Sequence, residues 1–217
     1  MLETIIETRM HNLSFIALGS NLSSSSGSSR QTIQAALKRL SATPELSLQS
    51  VSRFYQTPAF PAGNGPDYVN ACAAVESGLA AGELLALLHG IEADLGRVRS
   101  TRWAARGIDL DLIATGQQVL PDDAAQDRWR ALPPQRQLIE TPDHLVLPHP
   151  RLQDRAFVLV PLSDIAPGWT HPRTGLSVVQ MLENLPPEDR ASLRVLLDNA
   201  PKTDHITASR PVSDSNR

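Results

Sequence analysis

One cysteine, Cys72, stands among 217 residues, so no disulfide can form within the chain, and its apolar surroundings mark it as a small core residue, not a nucleophile. No apolar run approaches the length of a membrane-spanning helix. The opening MLETIIETRMHN carries acidic residues where a secretory signal would have a basic start and an apolar stretch. A cytoplasmic location and no membrane partner are therefore expected. Basic excess is missing too: 20 Lys and Arg against 23 Asp and Glu leave a net charge of -3. That balance argues against a general nucleic-acid binder, which would carry surplus positive charge across its surface. No internal repeat is present. With 41% hydrophobic and 20% charged residues, the chain has the composition of one sizeable globular domain.

Against this background one segment is crowded with opposite charges. Residues 96–111 read GRVRSTRWAARGIDLD and contain Arg97, Arg99, Arg102, Arg106, Trp103, Asp109 and Asp111. Polarity alternates over 107–113, which predicts a strand with Ile108, Leu110 and Leu112 facing a core and both carboxylates on the other face. Same-face neighbours lie roughly 7 Å apart, and two carboxylates so placed can jointly hold divalent cations spaced about 3.5–4 Å. Mg²⁺ is the natural candidate, because it prefers oxygen ligands and is commonly held by one or two carboxylates plus substrate phosphates. The arginines would bind the remaining phosphate oxygens. The alternative is a solvated cluster of ion pairs with no ligand.

Elsewhere the pattern predicts a strand at 14–18 ending in the turn-forming Gly19-Ser20-Asn21, then a Ser/Gly loop over 23–29. A cap at Ser28 or Ser29 starts a helix with Ile33, Ala36, Leu37 and Leu40 inward. Residues 46–57 read as a second strand whose apolar parity changes near Gln49-Ser50, as at a bulge. In a third strand, 68–77, Val69, Ala71, Ala73 and Val75 take one face, leaving Tyr68 and Asn70 on the other. The clearest helix spans 83–95, with Leu84, Leu87, Leu88, Ile91 and Leu95 as its stripe and Gly96 ending it. Strand, helix, strand, strand, helix, strand is the order of an α+β, ferredoxin-like βαββαβ core: an antiparallel sheet, helices on one face and a site on the other. Residues 117–143 form an irregular insertion with a short helix, and 177–185 a helix with a Ser177-to-Gln180 capping box. Residues 190–197 suit another turn or two of helix. The expected organisation is an N-terminal extension (1–13), one domain (14–185) and a C-terminal extension (186–217) that lacks a packed pattern from 201 and is largely disordered.

Five ordered blocks, IALGSNL, VSRFYQTPAF, GPDYVNACAAVES, GRVRSTRW followed by DLDL, and LPHPRLQDRAFVLVPLSDIAP, resemble the 6-hydroxymethyl-7,8-dihydropterin pyrophosphokinases of folate biosynthesis from about 15 to 167. The resemblance implies a Mg²⁺-dependent enzyme that moves the β,γ-diphosphoryl unit of ATP to a pterin hydroxymethyl group and releases AMP. It places two Mg²⁺ on Asp109 and Asp111. It puts the pterin between a wall of Thr57, Pro58 and Phe60, a floor of Tyr68 and Asn70, and the faces of Trp103 and Phe157. For ATP it implies Arg97, Arg99, Arg102, Trp103, Arg106, His149 and Arg155, with Glu92 near the adenosine part. Arg97 and Arg106 are the candidates for stabilising transition-state charge, and no general base stands out. His89, His144 and Val146 depart from the family pattern, as do Ala104, Ala105 and Gly107, and receive no contact. The resemblance also implies loops at 23–27 and 99–106 that close over ATP. The partners would be small molecules and the protein a monomer.

Two other readings fit the residues. A kinase of the same fold could act on another heterocyclic alcohol. A ferredoxin-like module could bind single-stranded RNA through Arg99, Arg102 and Trp103, although Asp109 and Asp111 would repel the backbone.

Overall fold

The computed structural model describes residues 11–22, 26–59, 65–97, 107–137 and 139–197. Its core runs β1 (Asn12–Ser20), α1 (Ser29–Ala42), β2 (Leu46–Val51), β3 (Tyr55–Thr57), β4 (Tyr68–Ser77), α2 (Ala81–Asp94) and β5 (Asp109–Thr115). There follow α3 (Asp123–Arg130), α4 (Pro134–Gln137), α5 (Ala156–Ile165), α6 (Val178–Glu183), α7 (Pro187–Ala191) and β6 (Arg194–Val195). The sheet is antiparallel in the order β5-β1-β4-β3-β6, with β2 also on β4. Since β2 and β3 are pieces of the predicted strand 46–57, this is the ferredoxin-like order. Among the described residues, no helix is long and apolar enough to cross a membrane.

Local signals account for most boundaries. Ser28 caps α1 in a box with Gln31, and Ser177 caps α6 in the predicted box with Gln180. Helix α2 starts two residues before its predicted position because Glu83 accepts the Ala80 N–H at 2.8 Å, and Gly96, at φ 84°, lies just past its end. The predicted bulge near Gln49-Ser50 is the register shift between Leu48 and Ser50. After Val51 the chain leaves the ladder: Ser52 exchanges bonds with Cys72, donating its N–H to the Cys72 carbonyl at 2.9 Å and accepting the Cys72 N–H on its hydroxyl at 2.8 Å. That detour splits the predicted strand in two.

Helices α1 and α2 cover one sheet face, where Ile33, Leu40, Leu84 and Leu88 pack on Ile16, Leu18, Leu110, Leu112 and Ala73. The predicted inward set Ile108, Leu110 and Leu112 is buried there. On the opposite face α5 and α6 form a second core, in which Val158, Leu159, Leu162, Val178 and Met181 meet Phe15, Cys72, Ala74, Ile113 and Ala114. This layer covers part of the face and leaves the site the remainder. A shift of the β1–β5 register beside Ile16 lets Ile113 and Ala114 both join that core.

The region 117–143 carries two short helices where one was predicted. Asp122 caps α3, Arg173 ties it down through Asp123 and Asp127, and fully buried Gln126 donates to the Pro148 carbonyl at 3.3 Å. At the C-terminal end, α7 stops at Ala191 and Arg194–Val195 is a strand on β3, where more helix was expected. The β3 edge offers unpaired backbone groups, and pairing satisfies them better than another isolated helical turn would. Residues 1–10 and 198–217 lie outside the described residues.

Candidate active site

The open part of the second face is organised in rows across the strands. Asp109 on β5 is paired with Gly19 on β1, Gly19 with Asn70 on β4, and Asn70 with Tyr55 on β3. One step along, Asp111 pairs with Ala17 and Ala17 with Cys72. Both aspartates thus share a face, as predicted. Asp109 and Asn70 stand about 10 Å apart, two strand spacings, with a glycine between them. A Cβ on Gly19 would lie 3.1 Å from Asn70 Oδ1, so the missing side chain keeps the floor open and lets the amide reach toward the carboxylates.

Around Asp109 the charges interlock. Glu92 on α2 is 1% exposed; its Oε1 accepts the Leu110 N–H at 2.7 Å and also pairs with Arg97. Arg97 Nη1 reaches Asp109 Oδ1 at 2.8 Å. Burial raises the Glu92 pKa, against the Leu110 bond and the Arg97 charge, and its Oε2 has no hydrogen-bond partner among the described residues. Glu92, placed near the adenosine by resemblance, thus lies beneath the carboxylate pair and orients Arg97. Arg155 Nη1 sits 3.8 Å from Asp111 Oδ2, with its guanidinium 5.5 Å from the centre of the Phe157 ring. Each aspartate therefore has a cationic neighbour, and each remains partly open, with 24% and 38% of the side chain exposed.

Chemically, two partly exposed carboxylates on one strand are hard oxygen ligands. Among the described residues no group of three His, Cys, Asp or Glu could hold a metal ion. The pair fits a cation that completes its shell with water and substrate phosphates, as Mg²⁺ does.

His149 is fixed on the β5 side. Its N–H donates to the Ile113 carbonyl at 2.7 Å, and its Nδ1 accepts the Arg151 N–H at 3.0 Å. Burial, then the charges of Arg155 and Arg151, pushes the imidazole down to about 3, so the ring is neutral with its proton on Nε2. It can donate one hydrogen bond to an anion.

On the β3 side, Asn70 is 5% exposed and its Nδ2 donates to Thr57 Oγ1 at 2.7 Å. This leaves Oδ1 as the acceptor on the Gly19 side. Tyr68 is half-buried beside them, Pro58 is exposed at the rim, and Phe157 is 41% exposed at the start of α5. A large exposed aromatic on α5 and a buried amide on the sheet face that α5 partly covers suit a flat heterocycle. Eleven of the predicted site residues, Thr57, Pro58, Tyr68, Asn70, Glu92, Arg97, Asp109, Asp111, His149, Arg155 and Phe157, are described. Phe60, Arg99, Arg102, Trp103 and Arg106 lie outside the described residues, as does part of the loop at 23–27.

Sequence reasoning missed Gly19, seen there as a turn residue, and the pair Tyr55 and Asp164, whose contact joins β3 to α5. The parity of β1 does put Gly19 between the two functional strands once strand order is known. Nothing local signals the Tyr55–Asp164 bond.

The model of the family described as 7,8-dihydro-6-hydroxymethylpterin-pyrophosphokinase (HPPK) matches residues 15–167. A 2-amino-4-hydroxy-6-hydroxymethyldihydropteridine pyrophosphokinase of Pseudomonas aeruginosa is 39% identical over 153 residues, covering 70% of this chain and 80% of that protein. Its namesake from Synechocystis is 34% identical over 170 residues, 78% of this chain and 74% of the relative. Among solved structures, the HPPK-DHPS of Plasmodium falciparum with pteroate superposes at a TM-score of 0.57 and 13% identity. That likeness concerns the fold alone; it covers 82% of this chain, which spans only 41% of the longer one. The matched stretch opens in β1 and closes just after α5, so it holds the carboxylate pair, the Asn70 wall and the His149 turn together: the chain belongs to the 7,8-dihydro-6-hydroxymethylpterin-pyrophosphokinase family.

Proposed function

We propose that the chain transfers the β,γ-diphosphoryl group of ATP to the hydroxymethyl oxygen of 6-hydroxymethyl-7,8-dihydropterin, in tetrahydrofolate biosynthesis. The observation that carries this reading is the row Asp109–Gly19–Asn70, which sets an acidic pair and a heterocycle-reading amide on one open face with a clear floor between them. The substrate oxygen attacks the β-phosphorus, the bridging bond between the α- and β-phosphates breaks, and its electron pair leaves with AMP. The hydroxyl proton passes to solvent, giving the pterin diphosphate ester, AMP and one proton.

Asn70 Oδ1 accepts from the amino edge of the pterin, Thr57 holds the amide in that orientation, and Tyr68, Pro58, Phe60, Trp103 and Phe157 enclose the ring. Asp109 and Asp111 would hold two Mg²⁺, which when bound offset the triphosphate charge and lower the pKa of a coordinated hydroxyl. His149 Nε2, Arg155, Arg99 and Arg102 hold the nucleotide. Arg97 and Arg106 meet the charge that develops in the transition state. Glu92 keeps Arg97 beside Asp109 before substrate arrives, so the guanidinium has a short distance to move. A neutral His149 adds a donor without competing for cations. The same reading expects a cytoplasmic monomer acting on small molecules.

A substrate-omission assay tests it. Nucleotide consumption should require Mg²⁺ and the hydroxymethyl-dihydropterin, and a 6-methyl analogue without the hydroxyl should release no AMP. Equal turnover with the methyl analogue would overturn the proposal.

A further inference from the structure

Strand β3 has three residues, too few for its ladder bonds alone to fix its position. Yet it carries Tyr55 and Thr57, which stand opposite Asn70 and Tyr68 on the site face. What anchors it is a carboxylate from the helical layer. Tyr55 is 3% exposed, and its hydroxyl donates to Asp164 Oδ2 at 2.9 Å. Arg53, two residues earlier, gives the same carboxylate three bonds: from its backbone N–H at 3.1 Å, from Nε at 3.1 Å and from Nη2 to Oδ1 at 2.6 Å. Its guanidinium also lies 5.5 Å from the centre of the Tyr55 ring. Burial and the Asp164 carboxylate push the Tyr55 hydroxyl up to about 12, so it stays a donor across the neutral range. Although burial pushes Asp164 upward, bonds from Arg53 and Tyr55 hold it below the usual carboxylate range.

Asp164 lies near the C-terminal end of α5, whose ten residues span about 15 Å. The other end begins at Arg155, 3.8 Å from Asp111, and carries Phe157. Between them Val158 offers its carbonyl to Cys72 Sγ at 3.6 Å, in the middle of the sheet. Helix α5 is therefore a bar laid across the site face from β5 to β3. It is tied at one end to the metal-binding strand and at the other to the strand that bears Thr57.

We infer that Asp164 is a positioning residue for the pterin: through Tyr55 and Arg53 it sets the spacing between the Asn70–Thr57 wall on the sheet and the Phe157 face on α5. The inference rests on the assignment of that wall to the pterin. A pocket that grips a flat ring between two elements loses affinity when their separation drifts by a fraction of an ångström. The carboxylates of β5 and the His149 turn lie away from this clamp, and Arg155, at the far end of α5, is held beside Asp111, so nucleotide binding should barely register its loss.

The test measures pterin and nucleotide dissociation constants by calorimetry for Asp164→Asn, Tyr55→Phe and Asn70→Ala. The nucleotide probe is α,β-methylene-ATP, which cannot release AMP, and it is kept saturating in the pterin titrations. Asp164→Asn and Tyr55→Phe should each weaken pterin binding by about tenfold while nucleotide binding stays within about twofold. Asp164→Glu, which keeps the carboxylate, should recover part of the loss. Arg53→Ala, at a largely exposed side chain that leaves the core intact, keeps the idea testable if Asp164→Asn fails to fold, and should also weaken the pterin alone. If Asn70→Ala weakens pterin binding and the Asp164, Tyr55 and Arg53 variants do not, the clamp is wrong and the wall assignment stands. If Asn70→Ala leaves pterin binding unchanged, the wall assignment fails and the inference with it. Parallel losses of both ligands would make Asp164 a general stabiliser and overturn the inference.

Discussion

Replacing Gly19 by alanine should separate stability from substrate recognition. The new Cβ would sit 3.1 Å from Asn70 Oδ1, closer than ordinary van der Waals contact, so one of the two must move by a few tenths of an ångström. Asn70 has little freedom to do so, because its Nδ2 is bonded to Thr57 Oγ1 at 2.7 Å and the residue is buried. The methyl would also cover the floor between the carboxylates and the amide. Displacing one buried hydrogen-bonding group costs about 1–3 kcal/mol, which is roughly five- to 150-fold in pterin affinity. The fold should not suffer in proportion. Gly19 lies within β1, where glycine is less favourable than alanine by roughly 0.5–1 kcal/mol, and this gain offsets the close contact. The expected melting temperature is therefore within about 4 °C of the parent. Calorimetry with hydroxymethyl-dihydropterin in saturating α,β-methylene-ATP, paired with a thermal melt, reads both quantities. Unchanged pterin affinity, or an equal loss of nucleotide affinity, would refute the reasoning.

Other consequences are separable. Asp109→Ala and Asp111→Ala should each lower turnover by about a hundredfold or more at saturating Mg²⁺ with a near-parental melt, since both side chains are partly exposed; near-normal turnover would remove them from the metal site. Arg97→Ala should reduce kcat by about tenfold or more while nucleotide affinity changes less, and a loss confined to nucleotide binding would make Arg97 a simple anchor. Stability should fall in acid. His149 and His171 are held by burial at about 3 and about 4, below the ordinary value of 6.5, so the unfolded chain takes up their protons first. Their contribution is complete above about 6.5 and is lost as pH drops toward those values, and a melt that stays level from pH 7 to 4 would contradict it.

Period-two alternation was enough to put Asp109 and Asp111 on one face and Leu110 and Leu112 on the other, because burial of one face enforces that register. Ser28 and Ser177 were equally readable, since a capping box is a contact across three residues. The break between β2 and β3 was not, because it depends on Ser52 meeting Cys72 across the sheet. The second layer on the site face escaped for a related reason: α5 is apolar on most sides, which marks it as buried without saying on which face. Within the site, charge and motif spacing pointed to Arg97, Asp109 and Asp111, whereas the seat of Glu92 under Leu110 and the Asp164 clamp arise only when distant segments meet. Gly19 shows the same limit. A residue whose function is to have no side chain leaves no chemical signature.

The central claim is that the face holding Asp109, Asp111 and Asn70 directs a pterin hydroxyl to the β-phosphorus of ATP. Mass spectrometry of the products from purified protein, MgATP and 6-hydroxymethyl-7,8-dihydropterin tests it most directly. The account predicts AMP together with a pterin carrying two phosphates; ADP with a pterin carrying one would contradict it.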